Sequence, residues 1–490
     1  MTRVRYAPSP TGLQHIGGVR TALYDYLLAR SSGGRFVLRI EDTDQQRYDE
    51  RSLADIYETF SWLGFGWDEG PDVGGPYGPY VQTERRELYA TSAQQLLDSG
   101  DAYYAYDSAE ELRQQRERSD GKGGYDRKFR DMAADELASW ADRGIAPVVR
   151  YKVPLSGEVT LRDAVLGEMS WKCEDIIADP VILKSDGLPT YHLGNVVDDH
   201  LMAITHVLRA QEWLSSAPLH LLLYRSFGWD APQFCHLPMV IGEDGKKLGK
   251  RHGATRVLEF RERGYLPEAL INYLARTGWS YDDKREIFTL QELSELFSLE
   301  KVSKAPAVFD YAKLEWLNGH YIREKTSAEL YELVLPFLLR DGIVADPPRP
   351  NERRMLEQAM PLIQERLKYL SDAPKMVRFL FQGPGSYEVE ELIPKKGDLA
   401  AARTCLTAAA ELLPKIADHD DTDLEQLFRD KAAEIGQKLG NLLMPLRVAV
   451  TGSRVSPPLF ESIRIIGTGR AAASVESAIN RLNEAINAGE

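Results

Sequence analysis

The stretch that most constrains this chain is Arg5-Tyr6-Ala7-Pro8-Ser9-Pro10-Thr11-Gly12-Leu13-Gln14-His15-Ile16-Gly17-Gly18. Arg3 to Ala7 reads as a short buried strand. Pro8, Pro10 and Gly12 then forbid regular continuation, because proline lacks an amide donor and both residue types favour turns. Val19, Ala22, Leu23, Tyr26 and Leu27 follow at helical spacing, so a helix begins between Gly17 and Val19. A strand, a tight turn and a helix N-terminus form an anion site, since unpaired amides and the helix dipole both face the turn. His15 adds a donor for a phosphate, and Gly17 and Gly18 leave room for a flat base against the backbone. A proline-rich turn that merely starts a helix has the same composition and stays open as a reading. A dinucleotide-binding glycine loop and a Walker loop lack their spacing here.

A length of 490 residues exceeds one domain and predicts three to five structural units. Hydrophobic content of 43% and charged content of 27% fit a soluble globular protein. No apolar run approaches the ~20 residues of a membrane helix. The N-terminus has no charged-then-apolar leader pattern. Cys173, Cys235 and Cys405 lie too far apart for a disulfide framework or a zinc site, which points to a reducing cytoplasm. The net charge of −14 weighs against a uniformly basic nucleic-acid binder, although a basic stripe can coexist with acidic flanks.

Arg35 to Ile40 reads as a second strand that ends in Glu41-Asp42-Thr43-Asp44. Carboxylates at that position suit an ammonium group or a ribose; a solvated helix cap by Thr43 or Asp44 is the alternative. From about Glu84 to Leu183 the pattern changes and reads as an insertion. Two amphipathic helices flank Tyr103-Tyr104-Ala105-Tyr106, Ser108 and Glu111 form a capping box, and strands are predicted at Val148 to Val153 and Val159 to Leu161. Gly121 to Arg130 is a basic glycine-rich loop, suited to RNA phosphate or simply a surface loop. Val181 to Lys184 and Thr190 to Leu193 flank Ser185-Asp186-Gly187 as a predicted hairpin. Asp198, Asp199 and His200 read as a polar turn and helix cap rather than a metal cluster, since no other ligands sit at useful spacing.

Leu237 to Ile241 leads into Gly242-Glu243-Asp244-Gly245-Lys246-Lys247-Leu248-Gly249-Lys250-Arg251-His252-Gly253. Alone this is a solvated basic turn. Paired with the first turn, its lysines can close on negative charge that builds as pyrophosphate leaves an α-phosphate. Beyond Thr255 the chain is mostly helical, with helices predicted at Leu266 to Leu274, Leu290 to Phe297, Met360 to Leu370, Leu399 to Ile416, Leu424 to Leu439 and Ala473 to Ala488. Trp316 to Arg323 closes one unit, Thr326 and Glu329 cap the next helix, and Ala345 to Asn351 is a linker or long turn.

The first turn, A-P-S-P-T-G-x-x-H-I-G-G, resembles the "HIGH" signature of class I aminoacyl-tRNA synthetases. Lys247-Leu248-Gly249-Lys250-Arg251 resembles their "KMSKS" signature in its K-x-S-K-R form, with Gly249 where the family usually has serine. Together with R-I-E-D-T-D, D-E-G-P-D-V-G-G-P-Y-G-P-Y, K-S-D-G-L-P-T-Y-H-L and V-V-D-D-H-L-M, these stretches resemble the bacterial-type glutamyl-tRNA synthetases from Arg3 to about Arg323. The resemblance implies an α/β Rossmann-like class I catalytic domain with an α+β insertion, followed by an all-α C-terminal anticodon-binding region. The implied domains are a catalytic domain over 1–84 and 184–246, an acceptor-stem-binding insertion over 85–183, the lysine loop and helical stem-contact domain over 247–325, and an anticodon-binding region over 326–490, with a possible division near 387.

The implied function is glutamate–tRNA ligation: ATP activates L-glutamate to glutamyl-adenylate, and the acyl group then passes to the terminal ribose of tRNA(Glu). Arg5 and Tyr191 would hold the side-chain carboxylate, Glu41 the α-ammonium and Arg209 the α-carboxylate, with Ala7, Ser9 and Asn195 lining the pocket. ATP would lie on Gly17, Gly18 and Leu237, with His15 at its phosphates, Glu212 near the ribose, and Lys247 and Lys250 on the leaving pyrophosphate. Mg²⁺ would accompany ATP. No zinc is implied, because Tyr104-Ala105-Tyr106 has no cysteine where some relatives bind one. Arg366, and more weakly Arg447, would read the anticodon. The resemblance implies a cytoplasmic monomer and relatives that often need tRNA bound before they activate glutamate. Glutaminyl-tRNA synthetases share the catalytic fold but typically read P-P-E-P-N-G at the first turn and end in β-barrels. A truncated paralogue acting on a tRNA base, a small-molecule adenylyl transferase and an RNA-binding relic fit the long helical half or the intact His15 and lysines less well.

Overall fold

In chain order the first half runs β1 (Arg3–Tyr6), α1 (Ile16–Ser31), β2 (Arg35–Leu38), α2 (Glu50–Leu63), α3 (Arg86–Asp98), β3 (Ala102–Ala105), α4 (Ala109–Arg118), α5 (Ala134–Ala141), β4 (Val148–Tyr151), β5 (Glu158–Asp163), β6 (Gly167–Lys172), β7 (Val181–Leu183), α6 (Tyr191–Leu201), β8 (His206–Ala210), α7 (Ala217–Phe227), β9 (Gln233–Leu237) and β10 (Val240–Ile241). The computed structural model describes residues 1–118 and 125–489. Residues 121–124 of the glycine-rich loop therefore lie outside the described residues. The chain divides into two units, Met1–Phe260 with Pro267–Tyr311, and Arg261–Leu266 with Ala312–Glu490.

In the first unit β1 and β2 pair in parallel, and α1 supplies the crossover that a parallel pair requires. Val4, Phe36, Val37 and Leu38 are fully buried, as expected of a parallel layer covered on both faces. On the other side of β1, the Thr205 amide donates to the Arg3 carbonyl at 2.9 Å, and β8 then pairs in parallel with β9. The insertion forms an antiparallel sheet, β3-β4-β7, and a hairpin, β5-β6. The hairpin docks on the edge of β9, where the Ala164 amide donates to the Phe234 carbonyl at 2.9 Å. Tyr103, Ala105, Tyr106 and Phe129 form a small apolar cluster, against which Trp140 and Tyr125 pack.

The described residues of the second unit contain helices and no strand. From Ala312 it takes in most of the helix Tyr311–Glu324, then Ser327–Arg340, Pro350–Ile363, Ala373–Gln382, Leu399–Ala410, Asp421–Glu434, Leu439–Thr451, Leu459–Ile466 and Thr468–Gly489. The capping boxes at Ser108/Glu111 and Thr326/Glu329 are formed as the sequence predicts. Elsewhere the boundaries differ. The predicted helix Met360 to Leu370 starts ten residues earlier, at Pro350, whose fixed φ suits a first helical position. It ends at Ile363, and short 3₁₀ turns follow at Gln364–Arg366 and Leu370–Asp372. The predicted helix Leu399 to Ile416 breaks before Pro414.

Two corrections concern α6. Thr190 to Leu193 is not a hairpin arm: Thr190 precedes the helix, Tyr191 opens it, and only Leu183 and Pro189 bridge. Pro189 has no amide to extend a ladder, and Leu193, Val196 and Val197 share a buried helical face. Asp198 and Asp199 are not a turn or a cap. They lie inside α6, almost wholly buried, and their carboxylates tie the helix to the strand ends. Asp199 Oδ1 accepts from Arg5 Nε at 2.9 Å and from Arg39 Nη1 at 2.7 Å. Asp198 accepts from Arg85 Nε at 2.6 Å, and from Gln82 Nε2 and the Tyr89 hydroxyl at 2.8 Å each. Burial works against the charge on Arg39, but Asp199, Glu41 and Asp198 overcome it and hold the guanidinium ionised. Removing one partner of such a buried set strands the others. Asp199→Ala is expected to cost about 3–5 kcal/mol in urea unfolding; a loss below about 1 kcal/mol would mean that water replaces the carboxylate.

Candidate active site

The N-terminal turn is held from below. The Pro8 carbonyl accepts from the Glu41 amide at 3.0 Å and the Pro10 carbonyl from the Asp49 amide at 3.0 Å. Gln14 Oε1 accepts from the Tyr6 hydroxyl at 2.7 Å, and the Gln14 amide donates to Asp55 at 2.6 Å. His15 is the N-cap of α1, and its Nδ1 accepts from the Gly17 amide at 3.1 Å. Nδ1 is therefore unprotonated and the ring's proton sits on Nε2, free to donate. Burial, then the nearby Lys247 charge, lowers the His15 pKa, so the ring is a neutral donor at pH 7. The first turn of α1 carries no acidic residue, which leaves its dipole for a ligand. A Cβ on Gly18 would stand 2.9 Å from the Tyr6 hydroxyl, so a larger residue there would have to push that hydroxyl away from Gln14.

Above the turn lies a cavity of about 1100 Å³. It is lined by Arg5, Ala7, Ser9, His15, Gly17, Gly18, Glu41, Tyr191, Asn195, Arg209, Glu212, Leu237 and Lys247. The structure thus brings together every predicted small-molecule residue except Lys250, whose side chain lies outside the described atoms. Lys247 pairs with Glu212 across the cavity mouth.

The three charged groups at the cavity floor differ in their partners. Arg5 is neutralised by Asp199 and also donates to the Leu208 carbonyl at 3.3 Å. Glu41 accepts from Arg39 Nη2 at 2.9 Å; burial raises its pKa and Arg39 opposes the rise. The Asn195 amide lies between Asp199 and Arg39, 3.2 and 3.3 Å away in the orientation that satisfies both. Arg209 pairs with no carboxylate among the described residues. Its Nε donates to His236 Nε2 at 2.9 Å, and its Nη1 to the Tyr191 hydroxyl at 3.1 Å and His220 Nδ1 at 3.3 Å. Its Nη2 is buried with no partner. Burial lowers the Arg209 pKa, so its charge is held at a cost that an incoming anion would relieve. The Tyr191 hydroxyl, as acceptor from Arg209, keeps its own proton for a ligand.

The sequence reading missed several buried polar groups here. Arg39, His220 and His236 are fully buried inside apolar runs, and a charged or ring-nitrogen residue in such a run was the available signal. Asp25 on α1 is fully buried, neither carboxylate oxygen has a partner, and burial pushes its pKa well above the ordinary range. Neither Thr43 nor Asp44 caps the next helix, and Asp42 between Glu41 and Thr43 is buried and accepts from the Thr83 amide and hydroxyl at 2.9 and 2.6 Å. Asp49 caps α2 instead.

The lysine loop is rooted at both ends. β10 pairs with Ala307–Val308, and Ile241 bridges Lys247. Past the loop, His15 bridges Arg256, with Ile16 and Val257 amides donating to Thr255 and Gln14 carbonyls at 3.0 and 2.9 Å. In the second unit Arg366 is exposed at the end of a 3₁₀ turn, not in an α-helix as implied. Arg447 donates to the Pro457 carbonyl at 2.9 Å. Burial, and then the neighbouring Arg366 charge, lowers its pKa, so the two guanidiniums share one locality.

Residues 1–316 match the catalytic domain of the class I tRNA synthetases for E and Q, and residues 329–486 an anticodon-binding domain. A Rossmann-like layer with a histidine-capped first turn and a basic loop over one cavity is the class I catalytic fold, followed here by a helical anticodon-binding domain. The chain is 50% identical to the glutamate–tRNA ligase of Treponema denticola, over 99% of both chains, and 50% identical to that of Borreliella burgdorferi, over 96% of both. A crystal structure of a glutamate tRNA ligase from Elizabethkingia meningosepticum in complex with its amino acid superposes with a TM-score of 0.85 at 35% identity, covering 98% of this chain and 99% of that one. The chain belongs to the glutamate–tRNA ligase family.

Two outcomes follow from the geometry. His192 Nδ1 accepts from His220 Nε2 at 3.2 Å, and burial with the Arg209 charge lowers its pKa to about 4. An unfolded histidine titrates near 6.5. As pH falls from there towards about 4, the unfolded chain takes up a proton that the folded chain refuses, so stability declines through that window. Urea melts at pH 7 and pH 5 are expected to show this decline, and His192→Gln to reduce it. Separately, a Cβ on Gly249 meets nothing within 4 Å. Gly249→Ser is therefore expected to fold normally, stiffen the loop and raise kcat for activation, read by pyrophosphate exchange. A fall in kcat would mean the loop needs glycine's freedom.

Proposed function

We propose that the cavity activates L-glutamate with ATP and that the resulting glutamyl-adenylate is passed to the 3′ end of tRNA(Glu). The observation that carries this reading is the pair of buried guanidiniums in one cavity, Arg5 already balanced and Arg209 without a counter-ion. A substrate with two carboxylates and one ammonium matches Arg5 with Tyr191, Arg209, and Glu41 respectively. A guanidinium beside a hydroxyl donor suits a carboxylate better than an amide, which favours glutamate over glutamine.

ATP then lies along Gly17, Gly18 and Leu237, with the His15 Nε2 proton directed to its phosphates and Glu212 released to the ribose side. The α-carboxylate attacks the α-phosphorus and pyrophosphate leaves. Lys247 and Lys250 stabilise the charge that collects on the leaving group. No side-chain nucleophile is required; positioning and charge stabilisation supply the rate. Mg²⁺ would accompany the ATP phosphates and offset their charge. The insertion over 85–183 contacts the acceptor stem, Arg366 and Arg447 read the anticodon, and the enzyme works as a cytoplasmic monomer.

Pyrophosphate–ATP exchange with glutamate or glutamine, each with and without tRNA for glutamate or glutamine, tests the reading. Exchange is expected with glutamate in the presence of its tRNA. No exchange under any combination, from folded protein that binds ATP, overturns it. If Arg366 excludes glutamine tRNA at the anticodon, no exchange is expected with that tRNA, and exchange there would remove Arg366 from that role.

A further inference from the structure

We propose that Asp163 and His236 act as positioning residues that aim Arg209 at the substrate carboxylate while leaving its charge uncompensated. Arg209 and His236 are direct partners across the parallel β8–β9 ladder, so the backbone register itself sets the ring beside the guanidinium. Asp163 reaches the same point from the insertion, at the end of β5, where the hairpin docks on β9. Asp163 Oδ1 accepts from the Val165 and Leu166 amides at 2.9 Å each. Oδ2 accepts from the His236 amide at 3.0 Å and lies 2.6 Å from His236 Nδ1. Both side chains are fully buried.

A carboxylate with that many donors stays ionised, and an ionised carboxylate at Nδ1 requires the ring proton on Nδ1. Nε2 is then a lone pair, and it receives Arg209 Nε. The tautomer is decided two residues away from the pocket. The remaining partners of Arg209, the Tyr191 hydroxyl and His220 Nδ1, are uncharged as well. Compare Arg5, which touches Asp199 directly. Inserting an imidazole between Asp163 and Arg209 keeps the orientation that a carboxylate would impose. It moves the negative charge one ring farther away, so the unpartnered Nη2 still calls for an anion.

This inference rests on Arg209 meeting the substrate carboxylate, and a double-mutant cycle separates the two claims. Initial rates of exchange in the full chain with tRNA present are measured for Arg209→Lys, His236→Asn, His236→Gln, Asp163→Asn and the pair Arg209→Lys/His236→Asn. His236→Asn keeps a donor for Asp163 but loses the acceptor for Arg209; His236→Gln retains an acceptor at the Nε2 position. His236→Asn and Asp163→Asn are expected to raise KM for glutamate about tenfold, with KM for ATP unchanged. His236→Gln should recover most of that loss, and His236→Asn should add little on top of Arg209→Lys. If Arg209→Lys raises KM for glutamate but the His236 and Asp163 variants do not, or if their effects simply add, the positioning role is overturned and the reading of Arg209 stands. An equal loss in KM for ATP, or failure of His236→Gln to outperform His236→Asn, also overturns it as a general packing defect. If Arg209→Lys leaves KM for glutamate unchanged, both claims fall.

Discussion

One carboxylate, Asp199, holds two buried guanidiniums that come from different strands. Arg5 lies on β1 and Arg39 just past β2, and α6 supplies the acid that joins them. Asp198, next in the same helix, fastens Arg85 at the edge of the insertion. The parallel layer and the edge of the insertion converge on two adjacent residues of one helix. Pairing of this kind is weak evidence for stability in itself, because desolvation offsets most of the attraction. Its consequence is placement: Arg5 and Glu41 reach the cavity floor from strand ends that these ion pairs hold fixed.

The cavity then distributes charge in two different ways. Arg5 and Glu41 are neutralised by direct ionic partners, so they present geometry with little net field. Arg209 is held by two imidazoles and a hydroxyl, so it presents both geometry and field. His15 is neutral as well, with its proton aimed by the Gly17 amide. The site is thus preorganised by salt bridges at Arg5 and Glu41 and by neutral hydrogen bonds at Arg209, the one of the three whose charge is left for a ligand to balance.

Much of this was legible from residues alone. The proline turn, the helix after it, both strands of the parallel pair and the paired lysine loop follow from spacing and from proline and glycine chemistry. All but one of the small-molecule residues implied by the family signatures line one cavity. What failed did so for definable reasons. Asp198-Asp199-His200 reads as polar surface because sequence shows three hydrophilic residues in a row and not the arginines that neutralise them. Thr190 to Leu193 alternates like a strand until packing decides for helix. Ala345 to Asn351 reads as a linker or long turn, yet proline is also a preferred helix opener and Pro350 opens one. Asp163 looks like any strand-end carboxylate, and its link to the cavity exists only through a hairpin docking that no local pattern announces.

The roots of the lysine loop carry a mechanical consequence. One root is pinned to the strand Ala307–Val308 and the other to the backbone of the first turn itself, through Thr255, Arg256 and Val257. A segment clamped at both ends moves as a flap on fixed hinges, with a set path and little room to wander. Changes within it, such as glycine at position 249, alter how fast and how often it swings but not where it lands. Lengthening it would cost little in closure entropy, since that cost grows only logarithmically, yet would forfeit aim. The chain has therefore placed its tolerance to variation in the flap and its precision in the hinges.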